Sequence, residues 1–196
     1  MMSQKNKLKL IILVHEGGMQ TNFKAIRNAV KKDEINAEIS AVISDKDEAI
    51  GTIEKISPDY ICLSGWKKII PNEMIEKYEN KILNLHPGLI PETLDENAKK
   101  ITNPDGTEAL WNKGMYGSKA IQNFLDKKAT FAGSSIHFLT KDLDFGPVLG
   151  RTFEKILADD TINSLYERLK NKENILYVEV LEKLCQQKCS MFNPRC

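Results

Sequence analysis

The chain is poor in the features that mark a specialised surface or a secreted scaffold. Aromatic residues make up only 7% of its 196 positions, histidine occurs three times, and the formal net charge is +1. A balance so close to neutral gives no broad electrostatic footprint for nucleic acid or an anionic membrane, and the lysines are scattered as on a solvated face. No apolar run at the N-terminus is long enough for a signal peptide or a bilayer span. The four cysteines, Cys62, Cys185, Cys189 and Cys196, come without a histidine cluster, so no metal site is expected, and the purpose of the last three stays open. These absences lead to the expectation of a cytoplasmic protein with reduced thiols.

The content that is present is ordinary for a globular domain, with 41% hydrophobic and 28% charged residues. Residues 1–196 read as a single domain, with 185–196 as a loose C-terminal tail. Residues 10–14 are a continuous apolar run suited to a central parallel strand, which Leu8 can extend. Residues 15–20 form a loop, after which Thr21 is expected to cap a helix with Phe23, Ile26 and Val30 on one face. Strands are expected at 39–43, 60–64 and 82–86, with room for only a short helix in 47–56 and another, opened by Pro71, at 72–78. A helix at 118–125, strands at 134–139 and 148–153, and a long amphipathic helix carrying Leu165, Leu169, Leu176, Val180 and Leu184 complete the pattern. This alternation predicts an α/β fold with a doubly wound, mostly parallel sheet and helices on both faces.

Chemistry concentrates at the end of the 82–86 strand, in Asn84-Leu85-His86-Pro87-Gly88-Leu89-Ile90-Pro91. Pro87 ends the strand, and residues two apart share a face, so Asn84 and His86 project together at the carboxyl end, where open α/β sheets bind ligands. Read alone, His86 is either a core histidine or a catalytic one. Some sixty residues on, Gly133-Ser134-Ser135-Ile136-His137-Phe138 leads into Asp142-Leu143-Asp144-Phe145-Gly146-Pro147. Both Asp142 and Asp144 offer a carboxylate, either of which is also good turn chemistry. His137 reads equally as a supporting or a packed histidine.

The two segments together, in this order and separation, resemble the folate-dependent formyltransferases. Among them the chain is most similar to the branch that formylates glycinamide ribonucleotide in purine synthesis. The resemblance runs from about residue 10 to residue 184. It implies a Rossmann-like formyltransferase fold and transfer of a formyl group from 10-formyltetrahydrofolate, the co-substrate, to a phosphorylated small-molecule amine without a metal. By this resemblance Asn84 donates to the oxyanion, His86 is the general acid, Asp144 tunes it, and His137 supports them. It further implies that the formyl-folate is held by Lys67, Lys68, Ile69 and Ile70, by Asn84, and by Thr140, Lys141, Asp142, Leu143 and Asp144. The amine substrate is assigned to Gly17, Gly18, Gln20, Thr21 and Asn22, and to Lys170 and Glu173.

Three departures bear on specificity. The loop before Thr21-Asn22-Phe23 looks longer than the family's Gly-x-Gly-Ser/Thr-Asn, and residues 44–58 omit a strand–helix unit. Residues 92–117 are longer than usual, carry Trp111 and Gly114-Met115-Tyr116-Gly117, and lack the family's proline-glycine-histidine feature. An amine such as an amino-sugar nucleotide is the alternative acceptor, and a non-catalytic folate- or nucleotide-binding remnant is the alternative from another class. The oligomeric state is not legible.

Overall fold

The computed structural model describes residues 7–18, 20–95, 98 and 100–192, with side chains through residue 188. Six strands form one sheet in the order β2-β1-β3-β4-β5-β6. β1 (Leu8–Val14) pairs in parallel with β2 (Ala37–Ser44) on one side and β3 (Tyr60–Ser64) on the other, and β3 pairs in parallel with β4 (Ile82–His86). β5 (Phe131–Phe138) and β6 (Val148–Lys155) are antiparallel. The expected mostly parallel α/β sheet is therefore present, its chain order reversing around β1, where ligand crevices open in such folds.

The chain divides into two compact units, with the boundary between Leu83 and Asn84, inside β4. The first comprises residues 1–83 and 177–196. Its core is β1, whose Leu10, Ile11, Ile12 and Leu13 are all essentially inaccessible, as expected of a parallel strand covered on both faces. Three helices belong to it: α1 (Thr21–Lys31), α2 (Ile50–Ile56) and α3 (Asn72–Lys77). The buried Tyr177 hydroxyl donates to the carbonyls of Leu63 and Leu83, both at 3.2 Å, so a polar tip is satisfied where β3 and β4 run side by side. Cys62 lies beside it in the same core, and burial pushes its thiol up to about 12, which leaves it unreactive.

The second unit, residues 84–176, holds α4 (Gly117–Asp126), β5, β6 and the first half of α5 (Ile162–Phe192). Its core packs Ile121 and Phe124 of α4 against Ala132 of β5 and Leu165 and Leu169 of α5. α5 starts on a built N-terminus: Arg168 binds Asp160 through two nitrogens at 2.6 and 2.7 Å and Glu154 at 3.0 Å. Asp160 is held well below the usual carboxylate range, first by that guanidinium.

Three expectations need correction. Thr21 does not cap α1; it is the first helical residue, and Gln20 precedes it in the left-handed region at φ 50°. The fully buried residues of α1 are Asn22, Ile26 and Ala29, with Phe23 and Val30 half-buried beside them, so the inward face includes the expected residues but is centred towards Asn22 and Ala29. The tail expected from residue 185 is helical through Phe192, because Leu181, Leu184 and Cys185 continue the buried stripe of α5. Residues 193–196, including Cys196, lie outside the described residues, as does the side chain of Cys189.

Candidate active site

β4 ends as the alternation implied, with His86 buried and Asn84 half-buried. His137, inaccessible one residue before the end of β5, decides how Asn84 is oriented. Its Nδ1–H donates to the Phe138 carbonyl at 3.0 Å, and its Nε2 stands 3.2 Å from Asn84 Nδ2. Burial, reinforced by the charge of His86, pushes His137 down to about 4, so it is neutral near pH 7 and its Nε2 is a lone pair. Asn84 must then donate one amide N–H to His137, which fixes the carboxamide and leaves its second N–H for another acceptor.

His86 is gripped at both nitrogens. Nε2 lies 2.6 Å from the Trp111 carbonyl oxygen, which can only accept, so Nε2 carries a proton. Nδ1 faces Asp144 Oδ1 at 3.4 Å. Asp144, the carboxylate that the resemblance selects, therefore meets the imidazole, whereas Asp142 is exposed. Burial works to raise the Asp144 pKa, but the hydrogen bond and charge of His86 and the Gly114 N–H outweigh it and hold the group below its ordinary value.

The sequence reading missed how Asp144 is held. Its backbone is left-handed at φ 48°, a conformation that costs a non-glycine residue on the order of 1 kcal/mol. Two bonds offset this cost: the Trp111 indole N–H donates to its carbonyl at 2.8 Å, and the Gly114 N–H donates to Oδ2 at 2.7 Å. Trp111 also packs edge-on against Phe145, with ring centroids 6.3 Å apart. Neighbouring glycines are sterically obligatory. A Cβ on Gly146 would stand 2.2 Å from the Phe138 carbonyl oxygen, and one on Gly88 would stand 1.8 Å from that of Trp111. Ser135 secures the chain leaving β4, donating to the Gly88 carbonyl at 2.8 Å and accepting from the Ile90 N–H at 3.1 Å.

The other expected site residues divide into three groups. Gly17, at φ 80°, and Gly18 are exposed in the β1–α1 loop, Gln20 and Thr21 are half-buried, and Asn22 is buried. The amide nitrogen of Asn22 has no hydrogen-bond partner among the described residues. His15, not singled out beforehand, anchors this loop. Its imidazole pairs with Asp45, its carbonyl accepts from the Gly18 N–H at 3.3 Å and from Gln20 at 3.3 Å, and Asp45 also takes the Glu16 N–H.

Lys67, Lys68 and Ile69 are exposed, Ile69 almost completely, and Ile70 is half-buried. Lys68, Ile69 and Ile70 border a cavity of about 200 Å³ lined also by Leu13, Trp66, Met74 and Ile82, in which the buried Trp66 indole N–H finds no partner among the described residues. In the second unit, Thr140, Asp142 and Phe145 border another open cavity, of about 260 Å³, with Glu92 and Pro147. Thr140 binds the Phe145 carbonyl at 2.8 Å, closing the turn, while Lys141 and Leu143 stay exposed.

Lys170 and Glu173 are brought together on α5. Glu173 is buried, receives the Ser134 hydroxyl at 2.5 Å and pairs with Lys170. Burial disfavours the Lys170 ammonium, but Glu173 and Tyr166 outweigh it and raise its pKa. Among the described residues no group of three or more metal-ligating side chains is gathered, and no helix is long and apolar enough to cross a membrane.

A strand-end Asn and His, a carboxylate turn facing the His, and an α/β sheet of this order define a class. Residues 48–181 match the family model described as formyl transferase, and the chain belongs to that family. It is similar to the chloroplastic phosphoribosylglycinamide formyltransferase of Vigna unguiculata, 29% identical across 92% of this chain and 62% of that protein. The Escherichia coli phosphoribosylglycinamide formyltransferase is 22% identical over 89% of this chain and 85% of its own length. The chain thus spans about three-fifths of the first relative. Among solved structures, the glycinamide ribonucleotide transformylase 1 of Symbiobacterium toebii superposes with a TM-score of 0.73 at 21% identity, covering 92% of this chain and 89% of its own. A formyltetrahydrofolate deformylase from Pseudomonas syringae shares the fold with a TM-score of 0.74 at 14% identity, covering 94% and 63%.

Proposed function

We propose that the chain transfers the formyl group of 10-formyltetrahydrofolate to the primary amine of glycinamide ribonucleotide, acting as one formyltransferase domain in a cytoplasmic setting. The observation that carries this reading is the orientation of Asn84 by His137 together with the Asp144–His86 pair. The formyl-folate supplies an activated one-carbon acyl group. The chain's residues stabilise and move charge around it. As the amine nitrogen adds to the formyl carbon, the carbonyl oxygen becomes an oxyanion. The free N–H of Asn84 donates to that oxygen, an effect worth about 2.7–4 kcal/mol per donor in comparable sites. His86 keeps its Nε2 proton on Trp111, so the proton it exchanges sits on Nδ1, facing Asp144. That proton goes to the departing folate nitrogen as its bond to the formyl carbon breaks, the proton lost by the attacking amine replaces it on the His86–Asp144 pair, and Asp144 stabilises the imidazolium.

Both ligands fit residues that are present. The apolar cavity beneath Ile69 and Ile70, with its Trp66 indole N–H unpartnered among the described residues, suits a flat, polar-edged ring such as the pterin. The buried amide of Asn22 at the start of α1, whose nitrogen has no partner among the described residues, suits the ribose phosphate. The relatives' names favour glycinamide ribonucleotide as the acceptor.

The test is an acceptor screen that follows tetrahydrofolate release. Glycinamide ribonucleotide should be formylated and should raise the melting temperature, since a ligand at about a hundred times its Kd stabilises by about 2.7 kcal/mol. Product from an amino-sugar nucleotide but not from glycinamide ribonucleotide would move the acceptor. Binding without turnover of either would leave a non-catalytic binder.

A further inference from the structure

We infer that Asn112 is a positioning residue for the catalytic pair, acting through Trp111. This inference rests on the proposed formyl transfer only for its effect on rate, not for the geometry. Segment 111–114 touches both members of the pair at three points: the Trp111 carbonyl on His86 Nε2, the Trp111 indole on the Asp144 backbone, and the Gly114 N–H on the Asp144 carboxylate. A loop segment grips at these distances only if something fixes the loop. Asn112 does so. It is 6% exposed, sits in the left-handed region at φ 57°, and uses both ends of its side chain. Its amide nitrogen donates to the Pro87 carbonyl at 2.9 Å and lies 3.4 Å from that of Ala120, while its oxygen accepts from Asn123 Nδ2 at 2.7 Å. Its own carbonyl takes the Met115 N–H at 2.9 Å, closing the turn that presents Gly114.

The consequence for the chemistry is specific. Pro87 directly follows His86, so the bond from Asn112 ties the accepting carbonyl of the clasp to the same strand end that carries the imidazole. With Trp111 O held at 2.6 Å, Nε2 keeps its proton and Nδ1 is the nitrogen left to face Asp144. If Trp111 O drifts away, the imidazole can take its proton on either nitrogen, and the tautomer that serves the reaction is no longer enforced. Gly88 is an independent requirement of the same contact, because a Cβ there would fall 1.8 Å from Trp111 O and 2.9 Å from His86 Nε2.

The experiment is ¹⁵N–¹H spectroscopy of the histidine rings, together with steady-state kinetics, on the full chain. Only three histidines occur, and His137, whose Nδ1–H is bonded to Phe138 O, reports independently that the buried strand is intact. In the wild type the His86 Nε2–H should be a protected, downfield resonance. Asn112→Ala and Gly88→Ala should lose it while keeping the His137 signal, and kcat should fall about tenfold or more with KM changed less, as misplacement of a reacting group does. Asn123→Ala, which removes only the bond to the Asn112 oxygen, should weaken the His86 signal partially and lower kcat less. An unchanged His86 resonance in Asn112→Ala, or loss of the His137 signal at the same time in both Asn112→Ala and Asn123→Ala, would overturn the inference. The spectral result needs no acceptor. If the His86 signal responds as expected while glycinamide ribonucleotide is not formylated, the inference stands and only the proposed reaction falls.

Discussion

The β1–α1 loop and the end of β4 are both at the carboxyl ends of parallel strands, yet they are finished differently. At β4 the polar groups are paired: His86 with Trp111 and Asp144, Asn84 with His137, Asp144 with Gly114. In the β1–α1 loop, Asn22 is as buried as a core residue but its amide nitrogen has no partner among the described residues. A buried unpaired amide destabilises by about 1–3 kcal/mol, and such a cost persists where a ligand will supply the missing bond. The contrast separates a region whose polar groups are already paired, as the proposed chemistry requires, from one that the proposed substrate would complete.

The strongest way to break this comparison is at the organised end. His86→Ala or Asp144→Asn should lower kcat by about a hundredfold or more with circular dichroism unchanged, as for acid–base and oxyanion groups elsewhere. Wild-type turnover in both would remove the mechanism.

His137 gives the next largest effect, through pH. Its folded-state pKa is about 4, below the ordinary 6.5, so between those values the unfolded chain binds the extra proton and stability falls as pH falls. From pH 7 to pH 5 this amounts to about 2 kcal/mol, and it should be missing from a His137→Gln variant in parallel urea titrations. Equal pH slopes for the two proteins would show that His137 is not held neutral.

Asn22 sharpens the contrast from the other side. Asn22→Ala should raise KM for glycinamide ribonucleotide about tenfold, lower kcat less, and melt no earlier than wild type without ligand, since it removes an unsatisfied group and improves helix propensity. Asn84→Ala should melt earlier, because His137 loses its donor. A common sign for the two melting shifts would dissolve the distinction. The smallest effect is expected from chelator, which should leave turnover unchanged; loss of activity restored by zinc would point to the C-terminal cysteines.

The elements that could be read along the chain are those whose signal is local. β3 and β4 have the expected bounds, because an apolar run and a following glycine or proline set them within a few residues. The five leucine and valine positions expected to line α5 are all buried, since a helical period repeats often enough to be legible. The motifs also led to Asn84, His86 and Asp144, which the fold gathers with His137 in one unit.

What the sequence could not determine has a common physical origin. The Trp111 carbonyl that fixes the His86 tautomer, the Gly114 N–H on Asp144, and the Pro87 carbonyl that anchors Asn112 are backbone groups, which every residue type carries. Their partners lie 25 to 30 residues away in a segment with no period to read. The left-handed Gln20, which shifted the start of α1, and the buried amide of Asn22 likewise follow from how the loop closes onto His15 and Asp45. The sequence by itself determined the order of strands and helices and the chemistry placed at the end of β4. Only the tertiary structure decided how Asp144 is held against the imidazole, which nitrogen keeps its proton and which buried amide has no partner among the described residues, because long-range hydrogen bonding to the backbone leaves no mark in residue identity.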